Sequence, residues 1–146
     1  MTRLKSERGA ALLEAAIMIP MLLLVAVGIF EFGRAFQTWQ VLTNAAREGA
    51  RIAVLPDPTP GIVETRVREY MEAGQLSEAG EASISVDRSA TMTVNGTAVS
   101  ASVVTIGYPF DFVVLQPFAR LVAPGTSVGG PLTMTAQALM RNETGY

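Results

Sequence analysis

The chain has 146 residues, no cysteine, no histidine and a formal charge of −2. That length allows one small domain plus one membrane element. The composition excludes disulfides, thiolate and imidazole metal sites, Ser-His-Asp and Cys-His catalysis and histidine general bases, and no carboxylate pair stands at a spacing that points to an enzyme.

The charge is unevenly placed. Arg3, Lys5 and Arg8 against Glu7 give the first nine residues a net +2, and no lysine follows. From Ile52 onward five arginines face nine acids. No basic patch exists for nucleic acid. Positive charge beside an apolar segment stays cytoplasmic, so the chain is expected to lie N-in, C-out. Arg34, Arg47 and Arg51 beyond the segment weaken that argument, and Glu31 and Glu48 partly offset them.

From Ala10 to Phe30 the sequence is apolar except for Glu14. At about 1.5 Å per residue this run forms a helix of roughly 31 Å, the thickness of a bilayer core. Three readings fit the basic Met1–Gly9 stretch before it. It is the cytoplasmic tail of a single-pass protein, the n-region of a cleavable signal with Ala26-Val27-Gly28 as its cleavage site, or a leader cut after Gly9. Glu14 discriminates among them. A carboxylate costs roughly 2.5–3.5 kcal/mol at mid-bilayer and less near the interface, so a mere anchor has no use for it. Cleavage after Gly9 makes Ala10 the N-terminus and puts Glu14 one helical turn away. In a bundle of subunits, Glu14 then neutralises a neighbour's terminal ammonium, since two buried charges are tolerable as a pair and costly alone. The bland alternative is an acid that snorkels to the headgroups.

Gly9-Ala10-Ala11-Leu12-Leu13-Glu14 resembles a type IV prepilin processing site, a glycine with a glutamate five positions on. The resemblance extends through Ile19-Pro20, through Gly28-Ile29-Phe30-Glu31-Phe32-Gly33-Arg34 and through Val41-Leu42-Thr43-Asn44-Ala45-Ala46-Arg47-Glu48-Gly49-Ala50-Arg51. Over this first third the chain is similar to the TadE-like minor pilins (pseudopilins) of Tad/Flp pilus systems. The remainder shares only general character with that family. Major Flp pilins follow the glutamate with tyrosine, whereas Ala15 stands here, which fits a minor pilin. The resemblance implies cleavage between Gly9 and Ala10 by a prepilin peptidase, an assembly role for Glu14, and a place in pilus biogenesis serving adhesion and biofilm formation. The partners implied are other pilins or pseudopilins and the inner-membrane assembly platform.

Pro20 lies inside the apolar helix, where it removes a backbone bond and favours a kink; membrane helices tolerate this. A kink that aids filament packing and a plain membrane-helix proline both fit. Beyond Phe30, Phe32, Phe36, Trp39, Leu42, Ala46, Gly49 and Ala53 recur at helical spacing. Glu31, Arg34, Gln37, Asn44, Arg47, Glu48 and Arg51 fall largely off this stripe, and Glu31 and Arg34 can pair at i,i+3, worth a few tenths of a kcal/mol if exposed. Trp39 suits an interfacial aromatic belt. The small residues at the far end admit either the head or a partner helix. Pro56, Pro58 and Pro60 then stop the helix, with Asp57 and Gly61 completing the loop.

The head opens with a helix on which Val63, Val67, Tyr70 and Met71 share a face, Glu64, Arg66, Arg68, Glu69 and Glu72 are solvated, and Gly74 is the stop. Ala82, Ile84 and Val86 alternate with polar residues as one strand. Met92 and Val94 do the same up to Asn95-Gly96, a type I′ hairpin signal. The return strand runs from Thr97 to about Tyr108, with a bulge or two-sided burial at Val103-Val104. FDFVVLQ and the apolar residues after it, to Val122, read as a short helix packed on the sheet or as an exposed patch. Gly125–Pro131 is a loop, and Leu132–Arg141 is the last strand.

The expected fold is therefore α+β: a long N-terminal transmembrane and stem helix with a small head of one helix and about four antiparallel strands. The expected divisions are a leader at 1–9, the helix at 10–54, a Pro-rich loop at 55–61 and an extracytoplasmic head at 62–146. The chain is expected in the inner membrane as a single pass, touching lipid and no nucleic acid. No enzymatic activity, cofactor or metal is expected; Asp87 and Asp111 lack calcium-loop spacing. An unprocessed anchor bearing a binding or scaffold domain, and a secreted domain freed near Gly28, are the rival readings. The second would strand Phe32, Phe36 and Trp39 on a soluble helix.

Overall fold

The computed structural model describes residues 3–122, 125 and 129–143. Its elements are α1 (Arg3–Ala53), α2 (Ile62–Ala73), β1 (Ser83–Val94), β2 (Thr97–Phe110), α3 (Leu115–Val122) and β3 (Leu132–Arg141). They fall into two compact units. One comprises Met1–Arg34 and Phe112–Gly130; the other comprises Ala35–Asp111 and Pro131–Tyr146. The α+β expectation holds, with a long apolar helix followed by a small head of helix and antiparallel strands.

The second unit has a three-stranded antiparallel sheet in the order β1-β2-β3. Asn95 (φ 50°) and Gly96 (φ 79°) join β1 to β2 by a two-residue turn, with Val94 facing Thr97. Positive φ at both positions is the I′ geometry whose twist matches the flanking strands. The count of three strands, one fewer than the alternation predicts, has a local cause. Asp87-Arg88-Ser89 interrupts the pattern without reversing the chain. Asp87 pairs with Val103 and Ala90 with Ala101, so Arg88 and Ser89 together oppose Ser102. This bulge adds one residue to β1, and the ladder resumes beyond it. It lies on the strand opposite the one where the change of face at Val103-Val104 is expected. Asp87 closes the bulge by accepting hydrogen bonds from the Ser89 hydroxyl (2.7 Å) and N–H (2.8 Å). These two bonds, the hydroxyl's foremost, hold its carboxyl below the usual carboxylate range.

The central strand β2 buries Val104, Ile106, Tyr108 and Phe110. Against this core α2 buries Val63, Val67 and Met71, while Tyr70, expected on the same face, is exposed. Full burial of Val67, Met71, Ile106 or Leu42 contributes about 1.5–3 kcal/mol each. The last turns of α1 offer only small side chains: Ala45, Ala46, Ala50 and Ala53 are fully buried. A Cβ on Gly49 would lie 2.5 Å from Val67 Cγ2 and 3.3 Å from Val104 Cγ1. Backbone contact this close is open only to glycine, so the small-residue end of α1 is where this unit packs.

Gly74 does follow the last residue of α2, yet its φ of −77° is not left-handed. The left-handed residue is Gln75, at φ 61°. Leu76 N–H reaches Met71 O (3.1 Å) and Gln75 N–H reaches Glu72 O (2.9 Å), the two bonds of a Schellman cap. Gly74 is needed for space, because its Cβ would lie 2.5 Å from a Val41 methyl.

Two arginines hold backbone, one of which, Arg68, reads from the sequence as a solvated charge. Arg68 donates to Ala79 O (2.6 Å), Gly80 O (2.9 Å) and Ala82 O (3.1 Å), fixing the loop before β1. Arg88, projected by the bulge, donates to Ala53 O (3.1 Å) and Leu55 O (3.0 Å) at the end of α1. Glu143 N–H reaches Val54 O at 3.0 Å. Ser102 donates to Asn142 Oδ1 at 2.6 Å and lies 3.3 Å from Ala53 O. The last carbonyl of α1 and the two that follow it are thus bonded from β1, β2 and the residues after β3.

Candidate functional site

The residues marked out by the sequence lie along the first unit's share of α1. Gly9, Ala10 and Glu14 are helical and exposed. Ala10 and Glu14, four apart, stand one above the other on the same side of the helix. The apolar side chains around and after them, Leu12, Leu13, Ile17 and Leu22 among them, are more than half exposed. Among the described residues this is the one helix long and apolar enough to cross a membrane. Pro20 is exposed, and α1 runs through it unbroken.

One residue past the apolar run the chemistry changes. Glu31 is fully buried, not the exposed member of a surface pair. Its Oε1 accepts hydrogen bonds from the N–H groups of Val114 and Leu115, the second at 3.3 Å. Its Oε2 takes a 2.8 Å ion pair from Arg34. Val114 and Leu115 open α3, so a carboxylate from one helix caps the N-terminus of another. Orphan N–H groups and the positive end of the α3 dipole both favour an anion there. Gly129 packs against the same turn. At φ 71° its Cβ would lie 2.8 Å from Gln116 N and 3.1 Å from Leu115 C, so both conformation and space call for glycine. The sequence offers no local signal for the Glu31 cap, since its partners are 83 and 84 residues away. Within FDFVVLQ, Phe110 ends β2 and only Leu115 and Gln116 enter the short helix α3, which runs on to Val122; the residues from Phe112 to Gly130 group with Met1–Arg34 and not with the sheet.

Replacing Glu31 by alanine leaves two N–H groups of the α3 start without an acceptor. The expected cost is about 1–3 kcal/mol. It should appear as hydrogen exchange of the Val114 and Leu115 amides faster by about five- to 140-fold, at about 1.4 kcal/mol per decade. The β2 amides should be unaffected.

The expected stem stripe is corrected in part. Leu42, Ala46, Gly49 and Ala53 are buried, but Phe32, Phe36 and Trp39 are 72%, 60% and 49% exposed. At 3.6 residues per turn these aromatics centre roughly 80° away from the buried face. Large and small apolar residues form two stripes, which spacing alone merges into one. The Phe36 and Trp39 ring centroids lie 6.4 Å apart, tilted by 42°.

An open cleft of about 510 Å³ in the second unit has Glu48, Arg51, Arg141 and Glu143 among its lining residues. Its two acids and two arginines balance. Among the described residues, no three acidic, histidine or cysteine side chains are grouped to hold a metal.

Residues 9–51 match the family model described as TadE-like protein. The match begins at the Gly9–Ala10 bond and ends two residues before the end of α1. No curated protein and no solved structure matches the chain.

Proposed function

We propose that this chain, which is of the TadE-like pilin family of Tad pilus systems over residues 9–51, serves pilus assembly as a minor pilin or pseudopilin. Residues 1–9 are a leader that holds the N-terminus in the cytoplasm. A prepilin peptidase cleaves between Gly9 and Ala10. The apolar part of α1 rests in the inner membrane as a single pass, with the head outside. It then leaves the lipid for a filament built with other pilins on the membrane assembly platform. A bend at Pro20 assists that packing.

Glu14 carries this reading. It is an exposed carboxylate in an otherwise apolar run, one turn from Ala10, and a helix that only anchored would have no use for it. Cleavage creates an ammonium at Ala10, and Glu14 of a neighbouring subunit neutralises it inside the bundle. The exposed apolar surface of α1 is ample for such packing.

The deciding experiment maps the mature N-terminus of the membrane-bound protein with and without a prepilin peptidase. A chain that starts at Ala10 only when the peptidase is present upholds the proposal. An intact leader in both cases makes the protein a stationary anchor with a binding or scaffold head. As a second expectation, Glu14→Ala retains membrane insertion but loses nearly all piliation. Normal pili in that variant would remove Glu14 from assembly.

A further inference from the structure

We infer that the segment from Val113 through α3 is a second membrane contact, lying at the bilayer surface where Glu31 moors it. The inference rests on the membrane reading of α1 above. It extends that reading to a part of the chain that hydropathy alone leaves in the head.

Three observations carry it. First, Glu31 follows Phe30, the last residue of the apolar run. The rise from one to the other is about 1.5 Å, so whatever Glu31 binds sits at the level where the span meets the headgroups. Second, Glu31 binds the start of α3 directly, through the N–H groups of Val114 and Leu115, and is itself fully buried in doing so. Gly129 abuts the same turn, so the position of this turn is set from two sides. Third, the turn shows apolar side chains outward: Val113 is 60% exposed and Val114 36%. Ile29 and Phe30, the last residues of the span, are exposed as well and belong to the same unit.

A lipid surface suits this arrangement better than water. Short apolar elements with a cationic residue lie in the plane of the headgroup and acyl boundary. Here the cation is the exposed Arg120, in the last turn of α3. Glu31, by contrast, would be costly at that depth as an open carboxylate. Its two N–H donors and Arg34 compensate the charge. The mooring would thus let the chain carry an acid at the membrane boundary and hold a helix there.

The chain has no cysteine, so one environment-sensitive label can be placed at a single site. The full chain is reconstituted in vesicles of phosphatidylcholine and phosphatidylglycerol. Separate variants carry the label at Ile19→Cys, Ile29→Cys or Val113→Cys. The Val113 label is expected to match the Ile29 label, with blue-shifted emission, quenching by lipids bearing a shallow spin label, and protection from aqueous iodide. Glu31→Ala should return the Val113 label toward red, iodide-accessible emission while leaving the Ile19 label unchanged. Water-like emission at position 113 with lipid-like emission at position 19 overturns this inference and leaves the membrane span standing. A label shielded from iodide but untouched by the lipid quencher means protein covers the segment, and also overturns it. Water-like emission at position 19 removes the membrane reading itself, and this inference with it.

Discussion

Gly49→Val is expected to lose about 3 kcal/mol or more of stability in the unit built on the last turns of α1. Overpacking a close-packed site usually costs about 1–3 kcal/mol and occasionally more. Three features put this site at the upper end. The Cβ alone would lie 2.5 Å from Val67 Cγ2, 3.3 Å from Val104 Cγ1 and 3.5 Å from Val63 Cγ1. All three neighbours are short β-branched side chains with few rotamers to yield. They also belong to two different elements, α2 and β2, so neither can move without disturbing the other's packing. Gly49→Ala separates the clash from helix propensity. Alanine in a helix is favoured over glycine by about 1 kcal/mol, so its net loss should be smaller, about 1–2 kcal/mol. Urea unfolding of the detergent-solubilised chain, followed by the fluorescence of the single Trp39, measures both variants. An unchanged midpoint for Gly49→Val would mean that α2 does not pack on α1 at this turn.

The second large effect is expected at Arg88. Arg88→Ala takes two charge-assisted donors from Ala53 O and Leu55 O, and its bulge would then hold α1 less firmly. Hydrogen bonds to charged groups contribute about 1.5–3 kcal/mol each. Arg88 is solvent-exposed overall, so solvent screening reduces the loss to about 1–3 kcal/mol for the pair. Arg88→Lys tests the geometry. A lysine keeps the charge near the negative end of the helix dipole, but it lacks the planar fork that reaches two carbonyls at once. It should recover less than half of the loss. Full rescue by lysine would show that charge alone matters; no loss in either variant would show that Ser102 and the backbone of Glu143 suffice at this helix end.

Much of this organisation is legible in the residues themselves, and the reason is range. The apolar run from Ala10 to Phe30 declares a membrane-length helix because hydropathy is a sum over neighbours. Asn95-Gly96 declares its turn because a type I′ geometry needs positive φ at two adjacent residues, which these two tolerate. The shrinking of α1 side chains toward Ala46, Gly49 and Ala53 declares close packing, since only small residues allow it. Gly9, Ala10 and Glu14 form a local pattern whose spacing is one helical turn, and the family match from residue 9 rests on the same stretch.

Tertiary structure decided what depends on distant partners. Glu31 and Arg34 have the spacing of a surface ion pair, and nothing near them announces that Glu31 will be buried under the amides of Val114 and Leu115, more than eighty residues on. Arg68 looks like a solvated charge, and the role of Arg88 carries no signal, because backbone carbonyls, their actual partners, leave no mark in a sequence. The bulge at Arg88 and Ser89 looks like a break between two strands because only the pairing with β2 shows that the ladder resumes. The aromatic stripe of Phe32, Phe36 and Trp39 is as periodic as the buried one, and periodicity cannot say which of two faces meets the core. Short-range patterns determine elements and their ends; burial and the partner of each polar group follow from which elements meet, and that is settled only when the chain has folded.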